Sequence, residues 1–162
     1  MGQKQILKRT QIAKMLGHET TNFFNPRSKR IAKLLADLGG LQHLGSHLVT
    51  LPVGSVASKF HRHVCAEECV YIIASNGTAR IGPDMFEIED SDFIVFPADG
   101  EAHDLCNTGS SPMTCIVFEQ PLDFDVVEYS EQNNRLYRYA GKAGDLVDIA
   151  AVSHPILPDA RQ

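Results

Sequence analysis

Between residues 46 and 120 the chain alternates short runs of β-branched and aromatic residues with turn residues: "SHLVTLPVG", "ECVYIIASNG", "TARIGPD", "MFEIEDSD", "FIVFPADG", "AHDLCNTGSS" and "PMTCIVFE". Turn signals recur roughly every eight to twelve residues, a spacing that predicts an antiparallel sandwich or barrel and argues against alternating βαβ units. Asn76-Gly77 is a two-residue hairpin signal, because a type I′ turn needs positive φ at both central positions. It predicts that the strand ending near Ala74 pairs with the one beginning at Thr78.

Before residue 45 the pattern is helical. "TQIAKMLG" offers Thr10 as a cap, Ile12, Met15 and Leu16 as apolar positions and Gly17 as a stop. "NPRSKRIAKLLADLGG" offers Asn25 as a cap, Pro26 in the first turn and Gly39 as a stop, with Ile31, Leu34, Leu35 and Leu38 at i, i+3, i+4 and i+7. Two short helices are expected. After about residue 121 the periodicity loosens into brief strand-like pieces, expected to wrap the β core or a partner subunit. The division is therefore a helical extension over 1–45, an all-β core over 46–120 and a C-terminal extension over 121–162.

The chain has 162 residues, 43% of them hydrophobic, enough for one domain with a real core. The formal net charge is −5, unevenly spread: residues 1–34 hold eight Lys or Arg against Glu19 alone. The acidic remainder would repel a nucleic-acid backbone. "TQIAKMLGHET" loosely resembles the opening of a helix-turn-helix, but no second recognition helix follows, so nucleic-acid binding is not expected. No apolar run approaches ~18 residues and no cleavable leader is visible, which predicts a soluble, cytoplasmic protein. Cys65, Cys69, Cys106 and Cys115 lack close Cys-x-x-Cys spacing and read as reduced packing residues.

Candidate chemistry lies in "SKFHRHVCAEECVYIIASNG". Side chains alternate faces along a strand, so His61 and His63 point the same way, suited to two ligands converging on one ion, while Arg62 takes the other face. Four residues separate His63 from Glu68, room for the chain to turn and present that carboxylate to the same point; Glu67 stays open as the alternative. "PADGEAHDLCN" adds His103 after turn residues. Three imidazoles and one carboxylate form a donor set for Mn, Fe, Ni, Co or Zn.

These residues resemble the cupin family. Its first motif runs Gly, five residues, His-x-His, three or four residues, Glu, six residues, Gly. Here Gly54 precedes His61 by six residues, His61-Arg62-His63 is followed by four residues and Glu68, and six more lead to Ser75. The second motif runs Gly, five residues, Pro-x-Gly, two residues, His, three residues, Asn; here it reads Ser91, five residues, Pro97-Ala98-Asp99-Gly100, two residues, His103, three residues, Asn107. Ser75 and Ser91 replace glycines, and one residue is added near Gly54 and within the Pro97–Gly100 turn. Asn76-Gly77 is expected to supply the positive φ that Ser75 would not.

The resemblance implies a double-stranded β-helix (jelly-roll) barrel, with His61, His63, Glu68 and His103 binding a divalent transition metal. The extensions resemble those of small bacterial cupin-domain proteins, some provisionally named sugar-phosphate isomerases. An isomerase-type reaction on a sugar or sugar phosphate is the leading expectation; an iron dioxygenase and a non-catalytic small-molecule sensor are the alternatives. Lys59, two positions before His61, is the candidate to bind a substrate anion. Glu67, Asp99, Glu101, Asp104, His43 and His47 are candidate bases, and spacing chooses none. Tyr71 and Phe96 read as core. Exposed sheet edges and added strand-like segments predict a homodimer.

Overall fold

The structure, a computed structural model, describes residues 5–22 and 24–155; the outermost parts of both expected extensions, 1–4 and 156–162, lie outside the described residues. In chain order the elements are α1 (Arg9–Lys14), β1 (His18–Asn22), β2 (Asn25–Leu34), α2 (Leu35–Gly39), β3 (Gly45–Leu51), β4 (Arg62–His63), β5 (Glu68–Ala74), β6 (Gly77–Ile81), β7 (Asp84–Ile88), β8 (Phe93–Phe96), β9 (His103–Cys106), β10 (Met113–Glu119), β11 (Phe124–Tyr129), β12 (Asn134–Tyr139) and β13 (Asp145–Asp148). All seven runs read as strands in the central segment are strands. Among the described residues no helix is long and apolar enough to cross a membrane.

One layer is a six-stranded antiparallel sheet in the order β1-β2-β3-β10-β5-β8. The other consists of two smaller sheets, β13-β12-β11-β4 and β7-β6-β9, linked where His61 and His103 exchange backbone hydrogen bonds of 3.1 and 2.7 Å. Val49, Leu51, Val70, Ile72, Met113 and Cys115 from the large sheet pack on Ala79, Ile88 and Leu105 from the small one. The result is a jelly-roll sandwich whose sheets stay open instead of closing into a barrel.

The N-terminal extension departs from its expected helices. α1 forms, but Asn25 opens a strand and does not cap a helix, and only Leu35–Gly39 of the second segment is helical. The apolar stripe fails because its members do not form the buried face: Ile31 and Leu38 are 39% and 43% exposed, whereas Ser28 and Ala32 are buried. Pairing with β3, with Ala32 opposite Val49 and Leu34 opposite His47, outweighs the helical period, since strand formation follows cross-strand packing.

The expected hairpin at Asn76-Gly77 also does not form. β5 and β6 belong to different sheets, and the chain crosses between layers there. Ser75 itself adopts the left-handed conformation, with φ of 76°, and Ser91 does the same with φ of 74°. Both serines thus take the left-handed conformation that favours glycine, at the positions where the family motif has glycine. Gly77 serves a different need: a Cβ there would lie 2.5 Å from the Cys106 carbonyl oxygen on neighbouring β9. The true hairpin joins β6 to β7 through Gly82, with φ of 56°.

Candidate metal centre

His61 sits at the link between the two small sheets and His63 two residues on in β4, so both imidazoles reach inward, with Nε2 atoms 3.2 Å apart. Arg62, on the opposite face, pairs with Glu128 at 2.6 Å and Asp99 at 3.1 Å. Glu68, at the start of β5, points its carboxylate between the imidazoles, 4.0 Å from Nε2 of His63 and 4.0 Å from Nε2 of His103. His103 opens β9, and its ring stacks on Phe96 at 3.6 Å with planes 5° apart. The four expected ligands are therefore brought together. Glu67 is exposed, and its backbone N–H donates to Gln120 Oε1, so Glu68 is the carboxylate that faces the imidazoles.

The far ring nitrogens explain why the near ones are available. Nδ1 of His61 lies 2.8 Å from the Lys59 carbonyl, Nδ1 of His63 lies 2.6 Å from Asp125 Oδ2, and Nδ1 of His103 lies 3.4 Å from the Glu101 carbonyl. Each acceptor favours the proton on Nδ1 and leaves the Nε2 lone pair directed at the common point. Burial, helped by neighbouring His103 and His63, pushes His61 down to about 3, and burial pushes His103 down to about 4, so both rings are neutral near pH 7. Burial raises Glu68 to about 7, and Glu119, directly across the strand pair, adds repulsion.

His103 is 3% exposed, and its Nε2 is buried without a hydrogen-bond partner among the described residues, the condition a bound cation would relieve. With metal–donor bonds of about 2.1 Å, adjacent ligand atoms stand about 3 Å apart. The 3.2 Å imidazole gap matches this, while the 4.0 Å gaps to Glu68 are wider. Among the described residues no three or more His, Cys, Asp or Glu side chains stand as a closed ligand set; Glu68 has about 1 Å to move toward the rings.

Beside these groups opens a cavity of about 360 Å³ between the six-stranded sheet and the β4-β11-β12 sheet. His47 and Glu119 line it, with His47 Nε2 3.6 Å from Glu119 Oε1. Tyr129 stacks near His61, with ring centroids 6.0 Å apart, and Arg30 and Arg138 contribute from β2 and β12. Of the candidate bases, His47 and Asp104 border this cavity; His43 and Glu67 line a separate depression along β5 and β8. Lys59 is not among the cavity-lining residues, and its Nζ lies 3.1 Å from Glu131. Tyr71 is exposed, contrary to its reading as core, while Phe96 is buried.

The sequence reading missed Arg30, Glu119, Asp125, Tyr129 and Arg138. Four of these lie in β1–β2 or the tail, where the pattern had suggested a helix or little order. One usable signal was Asn133, whose φ of 53° makes the turn joining β11 to β12.

The family model described as a cupin domain matches residues 47–119. A crystal structure from Acidithiobacillus ferrooxidans, provisionally named a sugar phosphate isomerase, shares 36% identity over 94% of this chain and 97% of that one, with a TM-score of 0.90. A Silicibacter pomeroyi protein named a sugar phosphate isomerase from a cupin superfamily is 23% identical over 89% and 91%, with a TM-score of 0.75, which shows a shared fold. A Thermotoga maritima protein named a predicted oxalate decarboxylase shares the fold at 19% identity over 68% and 96%, with a TM-score of 0.56. No curated protein matches the chain. With two facing β layers, the paired motifs and a relative matched along nearly its whole length, this chain belongs to the cupins.

Proposed function

We propose that this cupin holds a divalent transition metal, one of Mn, Fe, Ni, Co or Zn, through His61, His63, Glu68 and His103. It uses the adjoining cavity to isomerise a small polar or anionic molecule of the sugar or sugar-phosphate class. The observation that carries the proposal is the buried, unpartnered Nε2 of His103 beside two further imidazoles and a carboxylate. The bound ion would supply Lewis-acid polarisation of a substrate carbonyl.

The remaining work falls to the chain. His47, supported by Glu119, lies on the cavity wall as the base that takes the proton from the hydroxyl-bearing carbon beside the carbonyl and returns it to the carbonyl carbon, while the hydroxyl proton passes to the former carbonyl oxygen and the C=O bond shifts to the neighbouring carbon. That transfer leaves atoms and charge unchanged overall. Val49, Val117 and Leu136 give the same cavity apolar lining, which limits water around the transferring proton. The provisional name of the 36%-identical relative supports the same reaction class.

The test is elemental analysis of the purified protein, followed by assays of metal-loaded protein with aldoses, ketoses and their phosphates. Metal and turnover are expected to disappear together in His103→Ala. His47→Gln is expected to keep its metal and lose turnover by about 10²- to 10⁴-fold. Failure to bind a divalent metal, or isomerisation indifferent to His103→Ala, overturns the proposal. Turnover by the zinc form supports isomerisation; oxygen uptake confined to the iron form would point to a dioxygenase, and tight ligand binding without turnover to a sensor.

A further inference from the structure

Most of the basic side chains near the site already have carboxylate partners. Arg62 is 2.6 Å from Glu128, Arg135 is 2.6 Å from Glu128, Arg80 is 2.6 Å from Glu131 and Lys59 is 3.1 Å from Glu131. Arg30 and Arg138 differ. Among the described residues neither has a carboxylate within salt-bridge distance. Among the described residues the one side-chain hydrogen bond of Arg30 runs from Nε to Thr20 Oγ1 at 3.2 Å and uses neither terminal nitrogen. Arg138 stands directly across the strand pair from Asp125, but that carboxylate is committed to His63 and to the backbone N–H groups of Cys65 and Ala66. Both arginines line the cavity that holds the metal-ligand candidates, one from each facing sheet.

We propose that Arg30 and Arg138 form a two-armed oxyanion clamp that grips a phosphate or carboxylate on the substrate while the opposite end of the molecule reaches His61, His63, Glu68 and His103. This deepens the function proposed above and rests on it for what happens at the metal end. Guanidinium groups are suited to the task, because their planar donor forks match phosphate and carboxylate oxygens in pairs. Glu119 and Asp104 also border the cavity, and each has its own charged surroundings: Glu119 sits beside His47, and Asp104 feels Arg80 and Lys59. The volume of about 360 Å³ lies at the lower end of ligand cavities, in keeping with a single small molecule held at both ends. Both arms come from outside residues 47–119, so the clamp is an addition made by the extensions to the shared cupin core.

The experiment is calorimetric titration of the full-length protein with four probes: inorganic phosphate, an aldopentose 5-phosphate, the parent aldopentose and its aldonate. Wild type is expected to bind a charged sugar at least about tenfold more tightly than the neutral one. Arg30→Ala and Arg138→Ala are each expected to lose about ten- to a hundredfold of that affinity with metal content unchanged. Preference for the phosphate ester identifies the anion as phosphate; preference for the aldonate identifies it as carboxylate. If an alanine variant fails to fold, Arg30→Gln and Arg138→Gln carry the same expectation. Equal binding of charged and neutral sugars, or charged-sugar affinity unchanged in the variants, overturns the clamp. Arginine-dependent anion binding by a protein that takes up no metal would leave the clamp standing and sink the isomerase reading.

Discussion

Asp125 connects the tail to the site through one side chain. Its Oδ2 accepts from His63 Nδ1 at 2.6 Å, while Oδ1 accepts from the backbone of Cys65 and Ala66 at 3.1 and 3.3 Å. Burial alone would raise this carboxyl, but those hydrogen bonds outweigh it and hold Asp125 below its ordinary range. A carboxylate behind a ligating imidazole fixes the ring and increases its basicity. Asp125→Asn is therefore expected to weaken metal affinity by about 10- to 100-fold with the fold intact, as read by competition with a chelating dye and by far-UV circular dichroism. His61, His63 and Glu68 were legible in the sequence because a strand's two-residue period and a short loop place them locally, and His103, 40 residues after His63, through the resemblance of its motif. Asp125 was not: 62 residues separate it from His63, and no local period reports a pairing between β4 and β11.

The strands around β4 are held by a row of charges. Arg62, Glu128 and Arg135 lie side by side across β4, β11 and β12, with Glu128 bridging the other two at 2.6 Å on each side. Burial would raise Glu128, but hydrogen bonds from Arg62 and Arg135 prevail and hold it below its usual value. With a folded pKa below the unfolded one, its contribution is present above the unfolded value of about 4.5 and is lost as pH falls through the folded one. Glu128→Gln is expected to cost about 3 kcal/mol at pH 7 and less at pH 3, measured by urea unfolding at both pH values; an equal cost at both would remove the charge row as the cause. β2 shows the limit of local patterns in a different way. Its helical spacing is genuine, yet a strand there covers the edge of β3, and that gain is invisible until β3 and β10 are known to pair.

The molecule is a shared cupin core with a working piece added at each end. The N-terminal extension supplies Arg30 to the cavity, and the tail supplies Tyr129 and Arg138 to it and Asp125 behind His63. The β8 edge is notably apolar. β8 ends the six-stranded sheet with Phe93 and Val95 60% and 58% exposed, and Leu44 and Phe118 join them along an adjoining depression. We propose that a second copy of the chain covers this edge and forms a homodimer. Light scattering is expected to give twice the chain mass, falling to one chain in Phe93→Glu; a single-chain mass for wild type rules the dimer out. The link at His61 and His103 has a mechanical consequence. An ion gripped by both residues would act as a rivet across the seam between the two small sheets, stabilising the joined state by about 4 kcal/mol at a thousandfold excess over Kd. Stripping the metal should then speed amide hydrogen exchange in β11 and β12 while leaving β6 and β7 unchanged, so that the protein without its rivet opens along one seam before it unfolds.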